Sequence, residues 1–388
     1  MKHLLITIVA LLAGTINVSA QSLNVNHSGI QTTYNANDIS TIDFSDGGTK
    51  ITLNSRGTNS PLTVSTADVT SIESSAAAPD FCAKYVDSEP AQVVFSCIEV
   101  NNTNPLQTLN FKLAKANKYL FDAVILFSSN INFSKHDNEV YIHNNENVQP
   151  ILNHADHYIK PLKDRGIKVL LSILGNHDGS GLANMSDDRC RDFAKAIADT
   201  LDKYDLDGVF FDDEYSEYEK DLGGQGYAGF SKTGSSECAS RLAYETKKAI
   251  GDRWVVSYRY GKFSSLKTVD EVQPGGYVDY ILNDYGVVGV WNTLSSYYPG
   301  ATKQQFGVAS INVNGYTNYN NVKRNRTDKY GAFMIYNLDQ ESAAFSSNYK
   351  GTLDKVAQNL FDDNILVEDT HYKKDWTPIE DLREPNRP

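Results

Sequence analysis

Short apolar runs rich in β-branched residues recur along the chain from about residue 90. Eight runs fit this pattern: 93–100, 123–127, 169–174, 209–211, 254–258, 277–282, 306–313 and 332–336. Segments compatible with helix lie between several of them, at 148–162, 189–203, 236–250 and 348–361. Strands and helices that alternate at this spacing predict a parallel sheet, and eight units predict a (β/α)8 TIM barrel. The alternative, an open doubly wound sheet, needs a glycine-rich loop after its first strand, and Glu99-Val100-Asn101-Asn102 is not one.

Residues 22–76 have a different pattern, rich in Ser, Thr, Asn, Asp and Gly. Short β-runs at 41–44 and 50–53 flank the turn residues Asp46-Gly47-Gly48, and a further run at 62–69 follows Pro61. Residues 74–79 are typical of a linker. We therefore expect a small β-rich N-terminal region over residues 21–80 and the barrel over residues 81–388.

The first twenty residues are typical of a signal peptide. Lys2 precedes an apolar run at 4–13, and Val18-Ser19-Ala20 is a small-residue cleavage site. The run is too short to span a bilayer, and no later stretch approaches 18 apolar residues. We expect a soluble, exported monomer in the periplasm, at the cell surface or in the medium, without membrane insertion. After export the four cysteines (Cys82, Cys97, Cys190, Cys238) could form disulfides or remain free buried thiols.

Charge narrows the range of partners. The chain has 36 Lys and Arg against 48 Asp and Glu, a net charge of −12. Because an acidic chain without a basic run binds polyanions poorly, we expect no nucleic-acid partner. Aromatic residues make up 11% of the chain. That abundance suits either carbohydrate binding or an ordinary core.

The fourth apolar run ends in an acidic segment, Asp212-Asp213-Glu214-Tyr215. Because strand side chains alternate, Asp212 and Glu214 share a face with Phe210, and Asp213 points away. In a barrel, catalytic groups lie at the carboxyl ends of the strands, so the two inward carboxylates are expected at the rim, with Cβ atoms roughly 7 Å apart. Like charges at that distance raise one pKa, and the outer Glu214 is expected to stay protonated as a general acid.

Three other readings of this segment compete. The acidic residues could cap a following helix, which fits Asp213 best. They could bind a metal ion, although alternation gives only two convergent ligands. They could form a solvated loop, which the apolar residues 209–211 disfavour.

Gly175-Asn176-His177-Asp178, after the third run, matches a motif of calcineurin-like metallophosphoesterases. Those enzymes also need an upstream Asp-x-His and a Gly-Asp-x-x-Asp to fill two metal sites, and neither is present. We interpret the segment as a polar substrate-binding loop.

Between residues 93 and 338 the chain resembles the single-domain endo-β-N-acetylglucosaminidases of glycoside hydrolase family 18, of the endoglycosidase H type. Besides the acidic segment, the matching stretches are 98–102, 121–125, 130–132, 141–143, 145–149, 167–177, 257–258, 279–280, the pair Asn283 and Tyr285, and 336–339. They occur in the same order along the whole barrel. The first 80 residues lie outside the resemblance.

The resemblance implies cleavage between the two core N-acetylglucosamines of a high-mannose or hybrid N-glycan, without a metal or organic cofactor. Glu214 would protonate the leaving oxygen, and the 2-acetamido oxygen of the −1 sugar would attack its own anomeric carbon. Asp212 would orient the acetamide and stabilise the oxazolinium. Glu214 would then activate water, so that configuration is retained.

The resemblance also implies substrate contacts. Asn283 and Tyr285 match the pair that hydrogen-bonds the acetamide, and Tyr258 and Tyr336 would line the −1 sugar. For the tyrosines, the alternative is core packing. Residues at the ends of the first three strands would meet the mannose branches: Glu99, Asn130, Asn176 and His177.

One position departs from the family pattern, which usually carries an acidic residue where this chain has Phe210. Without that like-charge neighbour we expect Asp212 to stay ionised. Two rival functions remain: a chitinase of the same family, which usually has a long groove lined with Trp, and a non-catalytic glycan-binding barrel, which the presence of Glu214 disfavours.

Overall fold

The computed structural model describes residues 22–27, 30–35, 39–55, 62–75, 84–85, 92–220, 227–285, 291–339, 343–368 and 372–379. Contacts divide the chain into two compact units, Met1–Ser88 and Glu89–Pro388. The segment interpreted as a signal peptide and Cys82 lie outside the described residues. Cys97, Cys190 and Cys238 are free thiols, and the first two are buried.

The first unit is β-rich, as the sequence predicts. Its described strands are β1 Ser22–His27, β2 Ile30–Asn35, β3 Ile39–Ser45, β4 Lys50–Ser55, β5 Leu62–Ser65, β6 Val69–Ser75 and β7 Lys84–Tyr85. They form two sheets, ordered β6-β1-β2-β7 and β3-β4-β5. Gly47 in the β3–β4 turn has a φ of 68°, which glycine adopts without steric cost. Because β6 extends to Ser75, the predicted linker loses its first two residues, and its remainder lies outside the described residues.

The second unit contains the predicted barrel. Its described strands are β8 Val93–Glu99, β9 Phe111–Leu113, β10 Lys118–Tyr119, β11 Ala123–Ser134, β12 Glu139–Asn144, β13 Lys168–Leu174, β14 Gly208–Phe211, β15 Trp254–Tyr258, β16 Tyr280–Leu282, β17 Phe306–Gly307, β18 Ser310–Asn312, β19 Ala332–Tyr336 and β20 Ile365–Val367. Parallel pairs run in the order β17-β16-β15-β14-β13-β11-β8-β19-β18. The strands β17 and β18 are halves of one apolar run interrupted at Val308 and Ala309, so this run supplies both edges of a nearly closed sheet. The (β/α)8 prediction is confirmed.

The described helices are α1 Val148–Asn153, α2 Ala155–Tyr158, α3 Lys160–Lys163, α4 Asp187–Tyr204, α5 Ser236–Ile250, α6 Trp291–Tyr297, α7 Tyr319–Thr327 and α8 Ala343–Phe361. Side-chain caps set two of the starts: the Ser186 hydroxyl accepts from the N–H of Arg189, and that of Ser235 accepts from the N–H of Cys238. The single helix expected over 148–162 is wrong. It breaks into α1, α2 and α3: His154 leaves the helical region with a ψ of 47°, and Pro161, which has no N–H, lies in the first turn of α3.

Aromatic rings fill the barrel interior beneath its carboxyl end. The rings of Phe95 on β8 and Tyr280 on β16 meet at 5.3 Å, although these strands are not neighbours in the sheet. This contact therefore crosses the interior, and the Trp254 ring joins it at 4.8 Å from Tyr280.

Among the described residues, none of the helices combines the length and apolarity that a membrane span requires.

Candidate active site

The backbone beyond β14 is held to the neighbouring loop. Asp212 donates its N–H to Ile173 O at 3.1 Å, and Gly175 donates to Glu214 O at 2.9 Å. A side chain at Gly175 would place its Cβ 2.5 Å from backbone atoms of Tyr215 and Ser216, so only glycine allows this close approach. These bonds extend the strand register past Phe211 and fix where Asp212 and Glu214 stand at the barrel rim.

Asp213 has a structural position. Its carboxylate accepts hydrogen bonds from the Tyr218 hydroxyl and, at 2.7 Å, from the backbone N–H of Lys262. Lys262 lies in the first turn of the 3₁₀ helix Gly261–Ser264, so Asp213 caps this helix from another loop. Asp213 thus ties the loops after β14 and β15 together and turns away from Asp212 and Glu214.

Asp212 lies at the floor of the site, and its side chain is almost fully buried. It is 2% exposed, above the Phe210 ring, which is 1% exposed. One carboxylate oxygen accepts from the backbone N–H of Glu214. The other, Oδ1, is buried and finds no hydrogen-bond partner among the described residues. A buried acceptor without a donor is costly, so this oxygen is ready for a donor on a ligand.

The electrostatics of the acidic pair differ from our expectation. Burial raises the pKa of Asp212 well above its usual range, and the charges of Glu214, Asp213 and Asp284 raise it further. The pKa of Glu214 is also raised, first by burial and then by Asp284, but Glu214 is only partly buried. The absence of an acid at Phe210 therefore does not keep the pKa of Asp212 low, because burial and the other carboxylates raise it.

Tyrosines surround the pair. The ring of Tyr258 packs on Phe210 with centroids 5.6 Å apart, and its hydroxyl donates to Asp284. Tyr285 is 43% exposed and stacks on Tyr336 at 5.7 Å with nearly parallel planes. Burial raises the pKa of the Tyr285 hydroxyl most, and the charges of Asp284, Glu214 and Asp212 raise it further. Tyr258 and Tyr285 thus lie beside the carboxylates, and Tyr336 lies behind Tyr285.

The residues expected to meet the glycan branches lie at the end of β8, within β11 and in the loop after β13. Glu99 is partly buried, burial raises its pKa, and its Oε1 accepts from the N–H of Asn101 at 3.2 Å. Asn130 donates to Gly175 O at 2.7 Å, and Asn176 donates to Asn132 at 3.0 Å. His177 is exposed, and its ring lies 4.7 Å from that of Tyr215. Their contact with a glycan stays a prediction.

Asn283 occupies a different place from its predicted partners. It is 1% exposed, its amide nitrogen donates to Val308 O at 3.1 Å, and its amide oxygen accepts from Arg259. Side chains alternate from Tyr280, which points into the barrel, so Asn283 points outward and Asp284 inward. A direct acetamide contact by Asn283 stays a prediction. Sequence reasoning missed Asp284 and also Tyr215, which is 53% exposed beside Glu214.

Two carboxylates at the carboxyl end of a (β/α)8 barrel, with tyrosines beside them, are the arrangement expected of a glycoside hydrolase. The family model described as glycosyl hydrolases family 18 matches residues 83–282, and the chain belongs to this family.

Relatives of known name support this assignment. Endo-β-N-acetylglucosaminidase F1 of Elizabethkingia meningoseptica is 44% identical over 286 residues, which cover 73% of this chain and 82% of that protein. The crystal structure of Bacteroides thetaiotamicron EndoBT-3987 with a Man9GlcNAc2Asn substrate is similar with a TM-score of 0.65 at 32% identity, over 76% of this chain and 71% of that one. A second EndoBT-3987 structure, with a Man5GlcNAc product, has a TM-score of 0.66 at 26% identity over 95% and 92% of the two chains.

Proposed function

We propose that this protein is an endo-β-N-acetylglucosaminidase that cuts the β-1,4 bond between the two core GlcNAc residues of high-mannose or hybrid N-glycans. The observation that carries the proposal is the Asp212–Glu214 pair at the barrel rim, in a chain 44% identical to an enzyme named for this activity. EndoBT-3987 supports the position of the cut, because its bound substrate has two GlcNAc residues and its bound product one.

The geometry supports a substrate-assisted, retaining reaction. The acetamide N–H of the −1 sugar would donate to Asp212 Oδ1, the buried oxygen that lacks a partner among the described residues. That bond favours the ionised form of Asp212, and the negative charge of Asp212 in turn favours the protonated form of Glu214, which is the acid.

Glu214 then protonates the leaving oxygen as the acetamide oxygen bonds to the anomeric carbon and the glycosidic bond breaks. The ionised Asp212 lies beside the positive oxazolinium and stabilises it. Glu214, now a base, takes a proton from the water that opens this ring. Two displacements at one carbon leave its configuration unchanged.

The proposed setting is extracytoplasmic, and its support is the N-terminal pattern of Lys2, the apolar run at 4–13 and Val18-Ser19-Ala20. We propose that the mature enzyme acts as a monomer on N-glycoproteins or free N-glycans.

Mass spectrometry of a high-mannose glycoprotein before and after treatment tests the activity. One N-acetylglucosamine left on each asparagine supports the proposal, and an intact glycan contradicts it. Chitin oligosaccharides treated in parallel test the rival function, because their cleavage with the glycoprotein left intact would indicate a chitinase instead.

A further inference from the structure

A third carboxylate, Asp284, faces the acidic pair from across the site. Side chains alternate along β16 and the residues that follow it, so Tyr280, Leu282 and Asp284 share the inward face. Electrostatics agrees with this inward orientation, because the charge of Asp284 acts on both Asp212 and Glu214. The mechanism described above does not use this residue.

Asp284 also fixes a tyrosine of the site. It accepts a hydrogen bond from the hydroxyl of Tyr258, whose side chain is 5% exposed and packs on Phe210. Burial raises the pKa of the Tyr258 phenol, and the bond to Asp284 raises it further, so the phenol stays protonated and donates. A buried phenol with one strong acceptor has one preferred orientation.

We propose that Asp284 is a positioning residue for the hydrolysis: it orients the Tyr258 hydroxyl at the −1 sugar and sets a negative charge beside the acid Glu214. Asp284, which follows β16, thus adds a third acidic group to a site that has Phe210 on β14 where the family usually has an acidic residue. The inference rests on the proposed function and deepens it.

Within the described ranges, the titratable groups that interact with Glu214 are Cys97 from β8, Asp212 and Tyr215 around the end of β14, and Asp284 and Tyr285 after β16. Each of these groups is neutral or anionic, so none of them offsets the charge of Asp284. Removing that charge lowers the pKa of Glu214, which then loses its catalytic proton at a lower pH.

The test compares pH profiles of kcat/KM on a high-mannose glycopeptide for the wild type, Asp284→Asn, Asp284→Ala and Tyr258→Phe. Asp284→Asn keeps an acceptor for the Tyr258 hydroxyl and removes the charge. We expect its basic limb to move down by about half a pH unit and its kcat on the acid side to stay within about threefold of the wild type. High salt should shrink the shift between wild type and variant. The matched control Glu139→Gln removes an exposed charge on β12 and should leave the profile unchanged.

Asp284→Ala removes the acceptor as well, and we expect kcat to fall about tenfold with little change in KM. If Asp284 acts through Tyr258, the double variant Tyr258→Phe/Asp284→Ala should be no slower than the slower single variant. An Asp284→Asn profile that superimposes on the wild type, or losses that multiply in the double variant, would overturn the inference. An inactive wild type would instead contradict the proposed function, so the two failures are distinguishable.

Discussion

Replacing Phe210 by Asp restores the acidic residue that the family usually carries, and it tests how the floor of the site is built. The Phe210 ring is 1% exposed and packs on Tyr258, so its loss opens a cavity. Large-to-small changes of this kind cost about 3–5 kcal/mol, and a buried carboxyl without partners adds about 1–3 kcal/mol.

One nearby group can offset part of this loss. Ser172 lies opposite Phe210 in the β13–β14 register, and its hydroxyl is buried without a hydrogen-bond partner among the described residues. A bond from this hydroxyl to the new carboxyl recovers about 1 kcal/mol. The net loss of about 3–7 kcal/mol is a large part of the 5–15 kcal/mol typical of a folded domain.

The same substitution should change the pH profile. A second buried carboxyl raises the pKa of Asp212 further, and the reaction needs Asp212 ionised when the oxazolinium forms. The pH at which Asp212 ionises therefore rises, and the acid limb of activity moves to higher pH. Urea unfolding and a pH–rate profile on the same preparation measure both effects. Phe210→Asn is the matched control, since it makes a similar cavity without the charge and should move stability but not the acid limb.

An unchanged free energy of unfolding in Phe210→Asp would show that the ring does not support the site. An acid limb that stays in place in Phe210→Asp, or moves equally in Phe210→Asn, would show that the inner position does not tune Asp212.

Three further predictions follow from the pair. Glu214→Gln should bind glycan but lose about 10²–10⁴ in hydrolysis rate, because an amide cannot donate the proton; near wild-type turnover would refute this role. Hydrolysis should survive EDTA, because the acetamide supplies the nucleophile and Asp213 is bound to Tyr218 and Lys262; loss that a divalent cation restores would contradict it. Asp212→Asn should use a synthetic glycan oxazoline while hydrolysing its product slowly; equal losses in both reactions would make Asp212 structural.

The barrel was predictable because its strands are short apolar runs separated by segments compatible with helix, and the helix Ser236–Ile250 because Ser235 marks its start and Gly251 its end. The break between α2 and α3 was visible in Pro161, whereas neither proline nor glycine marks the break at His154. Alternation correctly placed Asp212, Glu214 and Phe210 on one face.

Two features of the site needed tertiary structure. The raised pKa of Asp212 depends on how deeply its side chain is buried, and the strand pattern does not give that depth. Asp284 could have been found by counting from Tyr280, yet the resemblance directed attention to the residues on either side of it. Its bond to Tyr258 joins two strands and has no local signal in the sequence.

Mass spectrometry of one high-mannose glycopeptide, treated with the wild type and with Glu214→Gln, tests the cut between the two core sugars. We expect the wild type to leave a single N-acetylglucosamine on the asparagine and to release a glycan with the other at its reducing end, while the variant leaves the glycopeptide intact. Release of the whole glycan, trimming from its outer ends, or equal cleavage by the variant would refute both the position of the cut and the role of Glu214.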